Sequence, residues 1–278
     1  MTHLVVTGYA SLDYVLQLKG QIAGDRTTLC KRTPYAWPRA GGCPTYIATQ
    51  ATLMGARVTP VMWLGNDAAG SSLLNCLTDS GIDTDGVSTI AGAKSPSAVM
   101  AYQADGSCAC LYDPGPAGAE QLTDPQRRAI SLASHLCITV GPPHLLEEIL
   151  ALRPAGARLY WAVKNDPACF TPRIIARLQD SADVIFCSKA ERSMITGTGA
   201  TILQTLGPGG VTIEQDGTTQ TLPVTPVAIR DNTGAGDCFA GGYIAAEMTG
   251  ITDATYAAGQ GIAAVSHMLT KRRRETNS

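Results

Sequence analysis

The stretch Asp231-Asn232-Thr233-Gly234-Ala235-Gly236-Asp237 runs straight into Cys238-Phe239-Ala240-Gly241-Gly242-Tyr243-Ile244-Ala245-Ala246. It reads as a glycine turn opening a helix whose start is rich in small residues. Such a turn aims several unpaired backbone N–H groups at one point, and with the helix dipole they favour a bound anion. Asp237 falls at the mouth of that helix. A carboxylate beside an anion cradle suits a base that takes a proton from a hydroxyl while the amides hold charge on a transferred phosphoryl group. A lone G-x-G-D also serves as a plain helix cap, so the rest of the chain has to decide between the two.

The chain has 278 residues, 45% of them apolar and 16% charged, with a formal net charge of -2. That is enough for one large core, and it argues against disorder. No basic excess points to nucleic acid, and Lys271 to Arg274 reads as a solvated terminal run. Nine cysteines with no C-x-x-C pair fit a reducing, cytoplasmic setting better than a disulfide scaffold or a zinc site. Leu4-Val5-Val6 is too short and lacks the basic flank of a leader. No apolar run approaches the roughly 20 residues that cross a bilayer, so no membrane partner is expected.

Short apolar runs alternate with helical patterns. Residues 4–7 read as a buried strand ending at Gly8. Helices are expected over 44–54, closed by Gly55, and over 68–80, with Asp67 as cap. Strands flank Asp105-Gly106, a strong hairpin signal, within 96–113. From 122 onward the order is helix, strand, helix, strand, helix, strand, which predicts a mostly parallel sheet covered on both faces. A hairpin around Asp216-Gly217 and a final helix over 253–269 complete the pattern. Lys164 follows a strand end, the side where such sheets bind ligands; it reads as a phosphate contact or as a solvated lysine, and the solvated reading is preferred. His267 reads as a partly buried helix residue rather than a ligand.

Asp231, Gly234, Ala235, Gly236, Asp237 and Phe239 resemble the signature D-T-x-G-A-G-D-x-F of the PfkB (ribokinase-like) family of sugar and nucleoside kinases, with Thr233 displaced by one position. The resemblance extends to most of the chain. Gly41-Gly42-Cys43-Pro44-Thr45-Tyr46-Ile47-Ala48 is similar to the family's G-G-x-P-x-N-x-A, with Tyr46 in place of Asn. Gly8 to Asp13 resembles the strand end G-x-x-x-x-D, and Ala182 to Glu191 resembles A-D-V-I-x-x-N-x-x-E with Ser188 in place of Asn. Thr205 to Gly210 matches T-x-G-x-x-G.

The resemblance implies a three-layer α/β/α ribokinase-like sandwich with a mostly parallel central sheet, forming one domain over 1–278. A small β-sheet lid would be formed by about 14–39 and 96–113. It implies an ATP-dependent phosphotransferase acting on a hydroxyl of a small sugar or nucleoside. Asp237 would be the base and Gly234, Ala235 and Gly236 the anion hole. Asp13, Gly41, Gly42 and Tyr46 would bind substrate, with Tyr46 casting doubt on an ordinary hexose or ribose. Thr205, Gly207, Gly210 and Ser188 would meet the nucleotide, and Glu191 would organise Mg²⁺ through water. The resemblance further implies room for a monovalent cation (K⁺) near Asp231 and a homodimer through the lid. Tyr35, Trp37 and Tyr112 are candidates to stack a flat substrate face, or to pack within the lid.

Rival readings are weaker. No G-x-G-x-x-G dinucleotide fingerprint or G-x-S-x-G elbow is present, and residues 65–71 lack the lysine of a P-loop. The alternative is a non-catalytic ligand-binding or regulatory protein on the same fold, for which Tyr46 and Ser188 are the only support.

Overall fold

The structure is a computed structural model that describes residues 2–33, 35–197, 199–229 and 231–277, with side chains at the C-terminus through Glu275. The first half contains β1 (Leu4–Thr7), β2 (Ser11–Leu18), β3 (Cys30–Arg32), β4 (Arg39–Gly41), α1 (Cys43–Leu53), β5 (Val58–Gly65), α2 (Ala68–Asp79), β6 (Val87–Ile90), β7 (Ser97–Tyr102) and β8 (Cys108–Asp113). There follow α3 (Asp124–Ser131), β9 (His135–Ile138), α4 (Leu146–Leu152), β10 (Arg158–Ala162), α5 (Pro172–Ser181), β11 (Val184–Ser188) and β12 (Thr201–Thr205). The hairpin β13 (Val211–Gln215) and β14 (Thr218–Leu222) leads to α6 (Ala235–Met248) and α7 (Ala254–Asn277).

Among the described residues the large sheet runs β14-β13-β12-β11-β10-β9-β1-β5-β6. It is parallel from β6 to β12 and antiparallel only at the β12-β13-β14 edge. The apolar run of β1 serves both faces: Leu4 and Val6 join the core under α1, α2, α6 and α7, and Val5 joins the core under α3, α4 and α5. This is the expected three-layer architecture. The smaller sheet runs β3-β2-β7-β8 with β4 on β2, and it draws on the two stretches expected to form a lid. No helix among the described residues is long and apolar enough to cross a membrane.

Helix α6 is buried from Asp237 to Met248 because small residues let its neighbours close in. A Cβ at Gly241 would lie 2.7 Å from the Ile47 carbonyl of α1, and one at Gly242 would lie 3.0 Å from Gly261 and Ala264 of α7. The far end of α6 is tied to the sheet. Buried Glu247 accepts from Arg158 Nε at 2.8 Å, from the Tyr160 hydroxyl at 2.6 Å and from the Tyr243 hydroxyl at 3.0 Å. A buried carboxylate is tolerable only when paired and hydrogen-bonded in this way. Several outcomes depart from the sequence reading: β3, β4 and β6 are strands it did not expect, and α7 continues as helix well past Leu269.

Candidate active site

The turn 231–234 sets the mouth of α6. Gly234 has φ 75°, the left-handed region that glycine enters freely, and a Cβ there would sit 2.7 Å from the Tyr46 ring. The Ala235 amide donates to the Asn232 carbonyl at 3.0 Å, and the Cys238 amide to the Gly234 carbonyl at 2.8 Å. The amides of Gly236 and Asp237 have no protein acceptor among the described residues, and the space over Gly236 is open. Tyr102 of the smaller sheet steadies the turn through its hydroxyl, 3.1 Å from Asn232 Oδ1 and 2.7 Å from Thr233 Oγ1.

On one flank of α6 lies a cavity of about 440 Å³. Its polar lining includes Asp237, Lys164, Ser188, Glu191 and Thr205, with the glycines 207 and 210. Its apolar lining includes Val224, Pro226, Val227 and Ile229, and Ile262, Val265 and Leu269 of α7. Asp237 is only 6% exposed. Lys164 Nζ stands 3.4 Å from Asp237 Oδ1, and that carboxylate holds the ammonium above its ordinary pKa against the opposing effect of burial. Lys164 is therefore a site residue, and the solvated reading is corrected: β10 delivers it to the mouth of α6. Glu191, a lining residue of the cavity, accepts from the Ser188 amide at 2.7 Å through Oε2. Among the described residues no group of three metal-ligating side chains is assembled.

On the other flank a second cavity of about 390 Å³ is lined in part by Arg39, Tyr46, Asp231 and Arg272, and side chains there are tightly hydrogen-bonded to one another. Asp13 is 2% exposed. Its Oδ1 accepts from the Ser11 hydroxyl and its Oδ2 from the Tyr46 hydroxyl at 2.9 Å. Burial raises the Asp13 pKa, and these hydrogen bonds only partly offset it. A Cβ at Gly41 would overlap the Asp13 carboxylate, and Gly42, at φ 87°, caps α1. Arg39 of β4 donates through Nε to the Tyr46 hydroxyl at 3.1 Å and through Nη1 to Asp231 Oδ2 at 2.8 Å. Arg272 of α7 donates through Nη1 to the Thr233 carbonyl at 2.6 Å. Burial alone would raise the Asp231 pKa; the Arg39 hydrogen bond and charge, with Arg272 behind them, hold it below the ordinary value. Cys43 lies between the flanks, its thiol pushed well up by burial and then by the Asp237 charge.

The residues expected from the sequence thus fall into two adjoining groups around one helix start. Trp37 does not belong to either: it packs edge-on against Tyr14 at 5.1 Å, with Arg32 5.0 Å from its ring centroid, so the packing reading holds. Tyr35 is 70% exposed. Sequence reasoning missed Arg39 and Arg272. Arg272 carried a signal, since Ile262, Val265, Leu269 and Arg272 follow helical 3-4-3 spacing and share one stripe of α7. Its side chain is 13% exposed, so the basic run is not merely a solvated end.

With that geometry in view, comparison with known proteins identifies the family. A model of the pfkB family of carbohydrate kinases matches residues 1–267. The cytidine kinase of Thermococcus kodakarensis is 30% identical over 275 residues, covering 90% of each chain. Fructokinase-1 of Zea mays is 29% identical over 237 residues, covering 73% of this chain and 72% of its own. The structure of Arabidopsis thaliana ribokinase complexed with ribose and ATP superposes with a TM-score of 0.79 at 21% identity, covering 96% of this chain and 92% of that one, and shows the fold. The match spans both flanks of the site and the helix between them: the chain belongs to the pfkB family of carbohydrate kinases, and is by that membership a sugar or nucleoside kinase.

Proposed function

We propose that this chain transfers the γ-phosphoryl group of ATP to a hydroxyl of a small sugar or nucleoside, with Asp237 as the base. One observation carries the reading. Asp237 lines the open cavity from the first turn of α6, beside two amides with no protein acceptor among the described residues, and Gly234 of the same turn abuts Tyr46, which donates to Asp13.

The cavity suits a nucleotide. Its apolar lining at Val224, Pro226, Val227, Ile229 and along α7 would take the base, and Thr205, Gly207 and Gly210 would take phosphates. Mg²⁺ usually keeps several waters and needs only one or two carboxylates, so Glu191 alone fits as its protein contact, acting through water; Ser188 adds no charge there. When bound, the ion supplies charge neutralisation on the phosphate oxygens. In transfer, the acceptor oxygen forms a bond to the γ-phosphorus, the bond to the ADP oxygen breaks, and the acceptor proton passes to Asp237. The Gly236 and Asp237 amides and the α6 dipole hold the moving charge. Lys164 keeps Asp237 paired before the nucleotide arrives and offers its ammonium to the γ-phosphate afterwards.

Acceptor hydroxyls would meet Asp13, whose oxygens each retain a second lone pair. Tyr46 limits how many hydroxyls can reach it and so favours a compact acceptor. Tyr112 donates to the Ala10 carbonyl at 3.4 Å and is the aromatic placed to stack a base near that strand. The cytidine kinase and fructokinase relatives support a nucleoside or a ketose as candidates. The smaller sheet would close over the acceptor and exclude water. Its outer strands leave Leu29 and Leu111 exposed, the surface proposed for a homodimer and checked by sedimentation.

An ADP-release screen over pentoses, ketohexoses, their phosphates and nucleosides tests the reading. Release with one class supports it. No release with any, alongside tight nucleotide binding, favours the non-catalytic alternative, for which the Tyr46–Asp13 hydrogen bond is the motivating observation.

A further inference from the structure

The surroundings of Asp231 do not fit the monovalent cation that the family resemblance implies there. Such an ion needs oxygens free to coordinate it. Among the described residues, the turn itself offers the Asp231 carboxylate and the Thr233 carbonyl, and each already accepts from an arginine. Arg39 reaches Asp231 through two nitrogens, at 2.8 and 3.4 Å. Arg272 Nη1 lies 2.6 Å from the Thr233 carbonyl and 3.8 Å from Asp231 Oδ1. The Thr233 amide also donates to Asp231 Oδ1 at 3.2 Å. Asp231 is 6% exposed, so a further cation would have to enter a poorly solvated place already holding two positive charges.

We propose that Arg272 is a fixed internal cation that takes over this position, so that the chain needs no monovalent ion. Helix α7 continues through Asn277, which carries Arg272 back over the turn it serves. The Tyr46 ring lies under both guanidinium groups, 5.8 Å from Arg39 and 5.9 Å from Arg272. The side chain is thereby held from three sides: carbonyl, carboxylate and ring. A planar guanidinium can satisfy all three together, whereas a bare ion offers no planar face to a ring and no directed donors. By fixing the Thr233 carbonyl, Arg272 sets the turn that places Gly234 and hence the Gly236 and Asp237 amides. Arg272 is a positioning residue, and its effect on transfer rests on the kinase reading above.

The test compares melting in potassium chloride and tetramethylammonium chloride at equal ionic strength, together with rubidium soaks of crystals of the whole chain read by anomalous scattering. The wild type is expected to melt identically in both salts and to show no rubidium at Asp231 or the Thr233 carbonyl. Arg272→Met keeps much of the stem and removes the charge. It is expected to melt lower, to regain part of the loss in potassium only, and to turn over about tenfold or more slowly, the scale of a slight misplacement of reacting groups. Rubidium on Asp231 in the wild type, or a potassium-specific rise in its melting temperature, overturns the proposal. An Arg272→Met variant that melts as the wild type in both salts overturns it too. If that variant does not fold, the wild-type measurements decide alone. A wild type that melts identically in both salts yet releases no ADP with any acceptor sinks the kinase reading and leaves this assignment standing.

Discussion

The two flanks of α6 solve different problems with different materials. The cavity flank combines backbone with a few charged side chains: open amides at 236 and 237, glycine turns at 207 and 210, and Lys164, Glu191 and Asp237 among apolar walls. The acceptor flank is built from side chains, in a continuous series from Ser11 through Asp13, Tyr46, Arg39 and Asp231 to Arg272. In the proposed reading the backbone cradle would recognise a feature shared by every nucleoside triphosphate. The side-chain series would recognise one acceptor and could be rewritten residue by residue. Common chemistry and individual specificity would then be separated across a single helix start.

Gly234 serves both flanks, so its loss should erase the distinction. Gly234→Val would force a β-branched residue to φ 75° and drive its Cβ into the Tyr46 ring. The expected result is a stability loss of about 1–3 kcal/mol for the strained backbone and transfer down by roughly 10²-fold or more, read by chemical denaturation and ADP release. Lys164→Met acts on the cavity flank alone. Transfer should fall by about 10- to 100-fold through kcat, while the acceptor KM holds, in steady-state kinetics. Tyr46→Asn acts on the acceptor flank alone. Acceptor preference should shift by about tenfold in kcat/KM toward larger polyols, with the ATP KM unchanged. If Tyr46→Asn instead weakens ATP, the flanks are not separable.

Asp231→Asn gives the smallest effect, on stability with pH. Arg39 holds the folded-state pKa of Asp231 below its ordinary 3.8. A depressed carboxylate contributes stability above its unfolded pKa and loses it as pH falls through the folded value. The wild type should therefore exceed the variant near neutrality, and the gap should close in acid. Asp13, raised mainly by burial, is raised also by the Asp231 charge, so the variant relieves it slightly and the gap near neutrality is trimmed rather than reversed. A gap that persists into strong acid would remove Arg39 and Arg272 as its cause.

What the sequence disclosed follows the same division. The glycine turns at 207–210 and 234–236 and the strands of the parallel core were legible, because backbone-driven sites demand particular residues at short spacing. The acceptor flank was legible only where a motif touched it, at Asp13, Gly41, Gly42 and Tyr46. Arg39 and Asp231 meet across 192 positions, a pairing no local pattern contains. Lys164 sits beyond a strand end, where nothing nearby marks it as facing Asp237. Strand β6 has only half-buried or exposed residues in Val87–Ile90, too weak an alternation to stand out from a loop.

The central claim is that Asp237 removes the acceptor proton within an anion cradle made by α6. Asp237→Asn keeps the shape of that side chain and removes its basicity, so nucleotide binding and turnover can be measured side by side on one variant. The account predicts ATP affinity near that of the wild type and phosphoryl transfer lower by roughly 10²-fold or more. Turnover close to wild type in that variant would contradict it.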